Sequence, residues 1–252
     1  MQLDLSDKTV LVTGASRGIG HSIARQMAEA GASVAAHFVR SSDRVGRLAD
    51  QSGGRVVPFQ ADLARPSECR RLFEEVVARF VRLDVLVNNA GVAVHVPLEA
   101  SLEEWEAAWE LTIGVNLKAS ELLCRLAILH FREHGGGRII NIASRAAFRG
   151  DVPEYMTYAA SKAGLVALTR SIARGCGTDG IRAFVVAPGF VRTDMAQDFI
   201  DEYGEEHALR DLATHRLTEP DDVSPTVVFL ATGLADHATG CTIDVNAASY
   251  VH

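Results

Sequence analysis

Two hydrophobic rhythms alternate along the chain. Short apolar or β-branched runs recur at Thr9–Thr13, Ser33–Phe38, Arg55–Gln60, Val85–Val87, Arg138–Ala143, Ile181–Val186 and Thr242–Val245. Continuous runs of that length are the pattern of strands buried on both faces of a parallel sheet. Between them lie segments of helical character: Ile19–Ala30, Ser42–Gln51, Pro66–Phe80, Ser101–Leu111, Val115–Arg132, Tyr155–Arg174 and Asp221–Leu230. The punctuation agrees. Gly31 follows the first helix, where a left-handed residue closes the last turn. Pro66 opens the third in a position that tolerates a missing N–H. Ser101-Leu102-Glu103-Glu104 reads as a capping box. Pro58 cannot donate to a strand ladder, so its strand is expected at a sheet edge. Asp194–Thr214 is polar and irregular and reads as a mobile helical lid. Alternating strands and helices predict an α/β fold: one doubly wound domain over residues 1–252, its seven-stranded parallel sheet covered by helices on both faces.

Composition narrows the function classes. With 48% hydrophobic and 23% charged residues, the 252-residue chain is an ordinary globular one, not a disordered or fibrous one. The net charge of −7 offers no general basic footprint, so nucleic acid is not an expected partner. Of the 25 lysines and arginines only three are lysines, Lys8, Lys118 and Lys162. Cys69, Cys124, Cys176 and Cys241 form no Cys-x-x-Cys pair, and buried thiols in a reducing cytosol are expected. Met1–Asp7 carries two aspartates and no apolar core, so it does not read as a signal peptide. No apolar run is long enough for a membrane span, and a cytoplasmic location is expected.

The first strand runs into Thr13-Gly14-Ala15-Ser16-Arg17-Gly18-Ile19-Gly20, which opens the first helix. Glycines permit the tight turn and a close approach of backbone to a pyrophosphate, and the helix N-terminus offers free N–H groups and the positive end of its dipole. The spacing, glycine-x3-glycine-x-glycine, resembles the glycine motif of the short-chain dehydrogenase/reductase family, whose members have a Rossmann-type domain. The resemblance covers nearly the whole chain. It implies that Asp62 and Leu63, after the third strand, meet the adenine; Asp62 also reads as a plain helix-capping residue. It implies that Asn88-Asn89-Ala90-Gly91 lies beside the cofactor, with a structural share in steadying the central strands. Pro188, Gly189, Val191 and Thr193 would run along the nicotinamide carboxamide.

Tyr158 and Lys162 stand four apart on one predicted helix face. Ser144 ends the fifth strand, at the carboxyl edge where doubly wound sheets bind ligands, and Asn116 lies in the long helix before it. Together they match the family's Asn-Ser-Tyr-Lys tetrad. Hydride transfer to a carbonyl leaves an oxyanion that needs a proton. Tyrosine ionises at about pH 10, and a nearby ammonium is expected to lower that value, fitting Tyr158 to pass the proton. Ser144 would polarise the carbonyl oxygen. The resemblance implies that Lys162 also binds the nicotinamide ribose and that Asn116 helps to hold a relay water. Tyr155 reads either as a substrate-pocket wall or as a surface residue.

The expected cofactor is NADP(H) in preference to NAD(H). Relatives that prefer NAD carry an acidic residue at the end of the second strand, and Phe38 stands there, with no carboxylate at Val39 or Arg40. Arg17 matches a basic position common in NADP-preferring relatives, and Arg40 and Ser41 would complete the pocket. The closest resemblance is to 3-oxoacyl-carrier-protein reductases, implying a small-molecule carbonyl or alcohol substrate and a homotetramer or homodimer; sugar, steroid and hydroxyacid dehydrogenases share the motifs. A non-catalytic nucleotide sensor would need no tyrosine proton donor. A dehalogenase-type lyase resembles the fold with arginine at Lys162 and no nucleotide glycines. His130 and His134, one turn apart, lack an evident third metal ligand, and no metal is expected. Trp105 and Trp109 read as helix packing or a subunit interface. Many relatives carry glycine near Ala247, which leaves the tail's assembly geometry open.

Overall fold

The computed structural model describes residues 3–251 apart from 41, 195, 197–199, 201–203, 205, 207 and 208. Its strands are β1 (Thr9–Val12), β2 (Ser33–Phe38), β3 (Val56–Gln60), β4 (Val85–Asn88), β5 (Gly137–Ile142), β6 (Ile181–Pro188) and β7 (Thr242–Val245). All pair in parallel, in the order β3-β2-β1-β4-β5-β6-β7. The order reverses between β1 and β4, so a crevice opens at their carboxyl ends. Pro58 pairs only with β2, on the edge strand where its missing N–H costs no ladder bond.

The helices are α1 (Gly18–Glu29), α2 (Ser42–Gln51), α3 (Pro66–Phe80), α4 (Leu102–Ile113), α5 (Ala119–Glu133), α6 (Ala146–Arg149), α7 (Met156–Cys176) and α8 (Pro220–Ala231). Strand side chains alternate between two cores. Val10, Val12, Ile140, Ile142, Phe184 and Val186 pack with Ile23, Met27 and Val227 on one face. Leu11, Ile139, Ile181 and Ala183 pack with Leu72, Leu123 and Phe131 on the other. Each large apolar side chain fully removed from water contributes about 1.5–3 kcal/mol. Gly31, at φ +100°, ends α1 as its place in the sequence predicts. The capping box at Ser101 forms in both directions.

One helical boundary differs from the sequence reading. No break separates the helices expected at Ser101–Leu111 and Val115–Arg132. Instead α4 passes into α5 through a π-helical segment, Gly114–Lys118, which holds Asn116. Such a turn leaves backbone groups out of register, and the Ser120 hydroxyl donates to the Asn116 carbonyl oxygen at 3.1 Å. Of the stretch expected to form a lid, only part lies among the described residues. Among those residues, no helix is long and apolar enough to cross a membrane.

Candidate active site

The glycine turn is fastened from both sides. On the β4 side, the N–H groups of Asn89 and Ala90 donate to the Thr13 hydroxyl at 2.9 and 3.0 Å, and the Asn89 amide donates to the Thr13 carbonyl at 2.9 Å. On the β2 side, the Gly14 N–H donates to Nδ1 of His37 at 3.0 Å, and Nε2 of His37 meets the Ala61 carbonyl, also at 3.0 Å. A nitrogen that accepts from an N–H carries no proton, so the second contact fixes His37 as the neutral Nε2–H tautomer. Burial holds its pKa down at about 4, so it stays neutral over the working range. His37 thus ties the ends of β1, β2 and β3 together. Sequence reading missed it, because a histidine inside an apolar strand carries no spacing signal. A side chain at Gly20 would collide with the Gly14 carbonyl oxygen and the Asn89 amide, so the helix can approach the turn only through glycine.

Arg17, at the N-cap of α1, makes no side-chain capping bond. The first N–H groups of the helix therefore face the crevice with the positive end of the dipole behind them. Ser16 and Ile19 flank this edge, half-buried, and Thr193 packs over it: a Cβ on Gly18 would meet the Thr193 methyl at 3.0 Å. Gly189, after β6, donates its N–H to the Val245 carbonyl, and its bareness admits the Asn246 backbone. Val191 bridges to Thr218, with Pro188 ending β6. Asp62 accepts the Ala64 N–H at 3.1 Å while half its side chain stays in solvent, and Leu63 is buried in the core.

At the outer end of the turn, Arg17 and Arg44 both reach Oδ2 of Asp194, each at 3.3 Å. Arg44 was not singled out from sequence. Its position on α2, 27 residues beyond Arg17 in the chain, is brought alongside only by the β2–α2 turn. Arg40 is exposed beyond half-buried Phe38, and Ser41 lies outside the described residues.

The reaction end lies across the crevice. Ser144 is buried at the tip of β5, its hydroxyl oxygen accepting the Ala146 N–H at 3.1 Å. The Ser144 hydroxyl acts on the Tyr158 hydroxyl and favours its ionised form. Lys162 is buried behind Tyr158, its Nζ 5.7 Å from the tyrosine ring and donating to the Ile142 carbonyl at 2.8 Å. Asn116 is wholly buried; its Oδ1 accepts the Val92 N–H at 2.8 Å, and its amide donates to the Val92 carbonyl and the Ser161 hydroxyl. Asn116 and Lys162 converge on Gly91, where a Cβ would lie 3.3 Å from Asn116 Oδ1 and 3.4 Å from Lys162 Nζ. Asn88 takes the structural share: it donates to Asn141, which donates to Thr169 on α7.

The electrostatics depart from expectation. Burial pushes the Tyr158 hydroxyl above its ordinary pKa, the Ser144 hydrogen bond only partly offsetting this. Burial also pulls the Lys162 ammonium down to about 8. In the protein alone the neighbouring cation does not set the sign, because loss of water is the leading cause of both shifts.

Tyr155 packs its ring edge-on to His95, with centroids 5.5 Å apart, which favours the pocket-wall reading. His130 and His134 stack ring on ring at 3.9 Å, and His130 accepts the Leu83 N–H, so the pair is spent on packing. Trp105 and Trp109 stack at 5.5 Å on α4.

Comparison with known proteins places this geometry. Residues 14–247 match the family model described as enoyl-(acyl carrier protein) reductase. The chain is 38% identical over 247 residues to the 3-oxoacyl-(acyl-carrier-protein) reductase FabG of Staphylococcus aureus, covering 97% of this chain and 98% of that protein. It is 33% identical to the corresponding reductase of Synechocystis, with 96% of each covered. Among solved structures, a dehydrogenase/reductase from Sinorhizobium meliloti superposes with a TM-score of 0.88 at 33% identity, over 99% of this chain and 98% of that one. Another, from Beutenbergia cavernae, assigned as an NAD(P)-dependent gluconate 5-dehydrogenase and holding bound NADP at low occupancy, superposes with a TM-score of 0.89 at 34% identity, over 98% of each chain. A likeness that runs from the glycine turn to the last strand, in sequence and in backbone alike, has one meaning: the chain belongs to the short-chain dehydrogenase/reductase family.

Proposed function

We propose that the chain, as one domain, interconverts a ketone and a secondary alcohol by hydride exchange with NADP(H), and less readily with NAD(H). One observation carries the reading: Ser144, at the carboxyl end of β5, acts on the Tyr158 hydroxyl of α7, with the Lys162 ammonium buried behind them. The residues present fit a dinucleotide. The uncapped start of α1 suits a pyrophosphate, and among the described residues the Lys162 ammonium has a single acceptor for its three protons. The names of the relatives and the NADP in the Beutenbergia structure support the same assignment.

The roles follow from the chemistry. The bound nicotinamide supplies or accepts the hydride. Ser144 donates to the carbonyl oxygen and favours its negative charge as it develops. Tyr158 then gives that oxygen its proton, or takes one from the alcohol in the reverse direction. A raised pKa suits it to remain a proton donor at neutral pH. Lys162 holds the nicotinamide ribose, and Asn116 fixes the turn after β4 to α7, its amide being fully used by protein groups. Gly14, Ser16, Gly18, Ile19 and Gly20 cradle the phosphates. Asp62 and Leu63 would hold the adenine end; Asn89, Ala90 and Gly91 would border the ribose; Pro188, Gly189, Val191 and Thr193 would hold the carboxamide. Phe38 would repel no 2′-phosphate, and Arg17 and Arg40 are the cations expected to meet it, with Ser41, which lies outside the described residues, expected beside them. Arg44, which shares Asp194 with Arg17, is added to that group. Tyr155 walls the substrate. A 3-oxoacyl group is the first substrate class to try, by the names of the relatives. A cytoplasmic homotetramer or homodimer is the assembly we expect.

The test is a panel of ketones with NADPH, read by loss of the nicotinamide absorbance, for the wild type and for Tyr158→Phe. Turnover by the wild type alone sustains the reading. Equal rates from both proteins would remove Tyr158 from the reaction.

A further inference from the structure

Beside the hydroxyl pair lies a cation that the proposed reaction does not use. Arg145 follows Ser144 directly, and its backbone N–H donates to the Pro188 carbonyl at 2.9 Å, fixing it where β5 and β6 end. The side chain is half-buried, and Nη1 has lost contact with water without meeting an acceptor among the described residues. Three charged groups act on it electrostatically: Arg149 at the end of α6, Asp211 from the segment after β6, and Asp151 from the loop before α7. Both acids are already engaged. Asp211 pairs with Arg149 at 3.1 Å, and Asp151 accepts the Val152 N–H at 3.0 Å. The elements that contribute them flank the site, and the charge on Asp151 is felt by Tyr158 as well as by Arg145.

Arg138 shows how this chain treats an arginine whose task is structural. It is mostly buried too, and it is met by both oxygens of Asp236, at 2.9 and 2.8 Å. A guanidinium nitrogen withdrawn from water with no such partner is costly. Such a side chain is retained where a ligand meets the need, and the planar fork of its N–H groups matches a carboxylate in two parallel hydrogen bonds.

We propose that Arg145 determines substrate class: its guanidinium receives the carboxylate of an oxo acid or hydroxy acid whose reacting carbon lies against Ser144 and Tyr158. This rests on the reaction proposed above. Ser144 and Arg145 are neighbours in the chain, and the acids to try are the straight-chain 2-, 3- and 4-oxo acids.

The experiment compares each of those acids with its methyl ester, using NADPH and the wild type, Arg145→Met and Arg145→Lys. At least one acid should exceed its ester in kcat/KM by about tenfold or more. Arg145→Met should lower kcat/KM for that acid by roughly 10- to 150-fold, the range of a hydrogen bond to a charged group, mostly through KM, and leave the ester unchanged. Arg145→Lys, which keeps the charge and loses the fork, should fall between. NADPH binding unchanged from wild type shows that the variants are folded; should Arg145→Met fail that check, Arg145→Gln replaces it. Calorimetric titration of the hydroxy acid into the NADP-loaded protein gives a readout free of turnover, with binding lost in the folded variant. An acid-to-ester ratio that Arg145→Met leaves unaltered overturns the proposal. If the wild type reduces no ketone at all, the reaction assignment fails, and the titration still decides: binding that depends on Arg145 upholds the carboxylate site, and its absence overturns it.

Discussion

The two ends of the crevice solve opposite problems. At the glycine turn the side chains that fasten the loop are satisfied by the protein itself: Thr13 by Asn89 and Ala90, His37 by Gly14 and Ala61. At the reaction end three side chains are less well served. Among the described residues Lys162 has one acceptor, Tyr158 is raised by burial, and Arg145 has an orphaned nitrogen. The first end is a rigid cradle of backbone, suited to a ligand that never varies. The second stores unmet electrostatic demand, which ligand charge and developing oxyanion charge relieve. Preorganisation at one end and deliberate under-satisfaction at the other are both ways of directing binding energy, the one to affinity and the other to specificity and chemistry.

Substitutions at each end sharpen this contrast. The largest effect is expected at the reaction end: Tyr158→Phe should lower kcat by at least about 100-fold while leaving NADPH affinity, measured by fluorescence titration, near wild type. A loss of affinity equal to the loss of rate would mean that Tyr158 belongs to the cradle. Next, Phe38→Asp places a carboxylate beside the expected 2′-phosphate. The ratio of kcat/KM for NADPH over NADH should fall by roughly 10- to 150-fold, and an unmoved ratio would locate the adenosine ribose elsewhere.

The cradle has its own test in His37. His37→Ala leaves the Gly14 N–H and the Ala61 carbonyl buried without partners, a loss of about 1–3 kcal/mol. It should appear as a raised KM for NADPH with kcat little changed, and His37→Asn, which restores an acceptor for Gly14, should recover part of it. Equal losses in KM and kcat would dissolve the division between the two ends.

The demand stored at Lys162 is visible in stability. Its ordinary pKa of 10.5 falls to about 8 in the fold. Above pH 8 the folded state gives up this proton before the unfolded chain does, so stability without ligand rises with pH. Cys69 and Cys124, pushed up to about 11 and 12 from 9.0, act in the opposite sense above pH 9, as does Tyr158 above 10. The Lys162 contribution is therefore clearest between pH 8 and 9, a gain of about 1 kcal/mol. Thermal melts across that interval should show the rise in the wild type, and Lys162→Met should flatten it.

The smallest effect lies in the tail. Ala247 and Ala248 adopt φ of 52° and 58°, in the left-handed region that disfavours a Cβ. Glycine at 247 relieves about 1–2 kcal/mol of that strain and returns about 0.4–1 kcal/mol through greater freedom of the unfolded chain. Ala247→Gly should raise Tm by about 2–3 °C; a lower Tm would mean that the Ala247 methyl, which packs with Leu212 and Phe190, is worth more than the strain.

Much of this was legible before any coordinates. The glycine turn, the Tyr158–Lys162 pair, the capping box at Ser101 and the edge position of Pro58 are all matters of spacing within a few residues. Such spacing converts directly into a turn, a helix face or a missing ladder bond. The run of buried strands and amphipathic helices settled the fold class for the same reason: side-chain direction follows backbone periodicity. The tertiary structure alone decided the rest. The clip made by His37 joins the ends of three strands. The company Arg44 keeps with Arg17, the π-turn that carries Asn116 and the orphaned Nη1 of Arg145 also depend on residues distant in the chain. Even the sign of the Tyr158 shift went against the local argument. A cation four residues away is written in the sequence, but how much water two side chains lose is set by everything packed around them, and at this site that loss is the larger force.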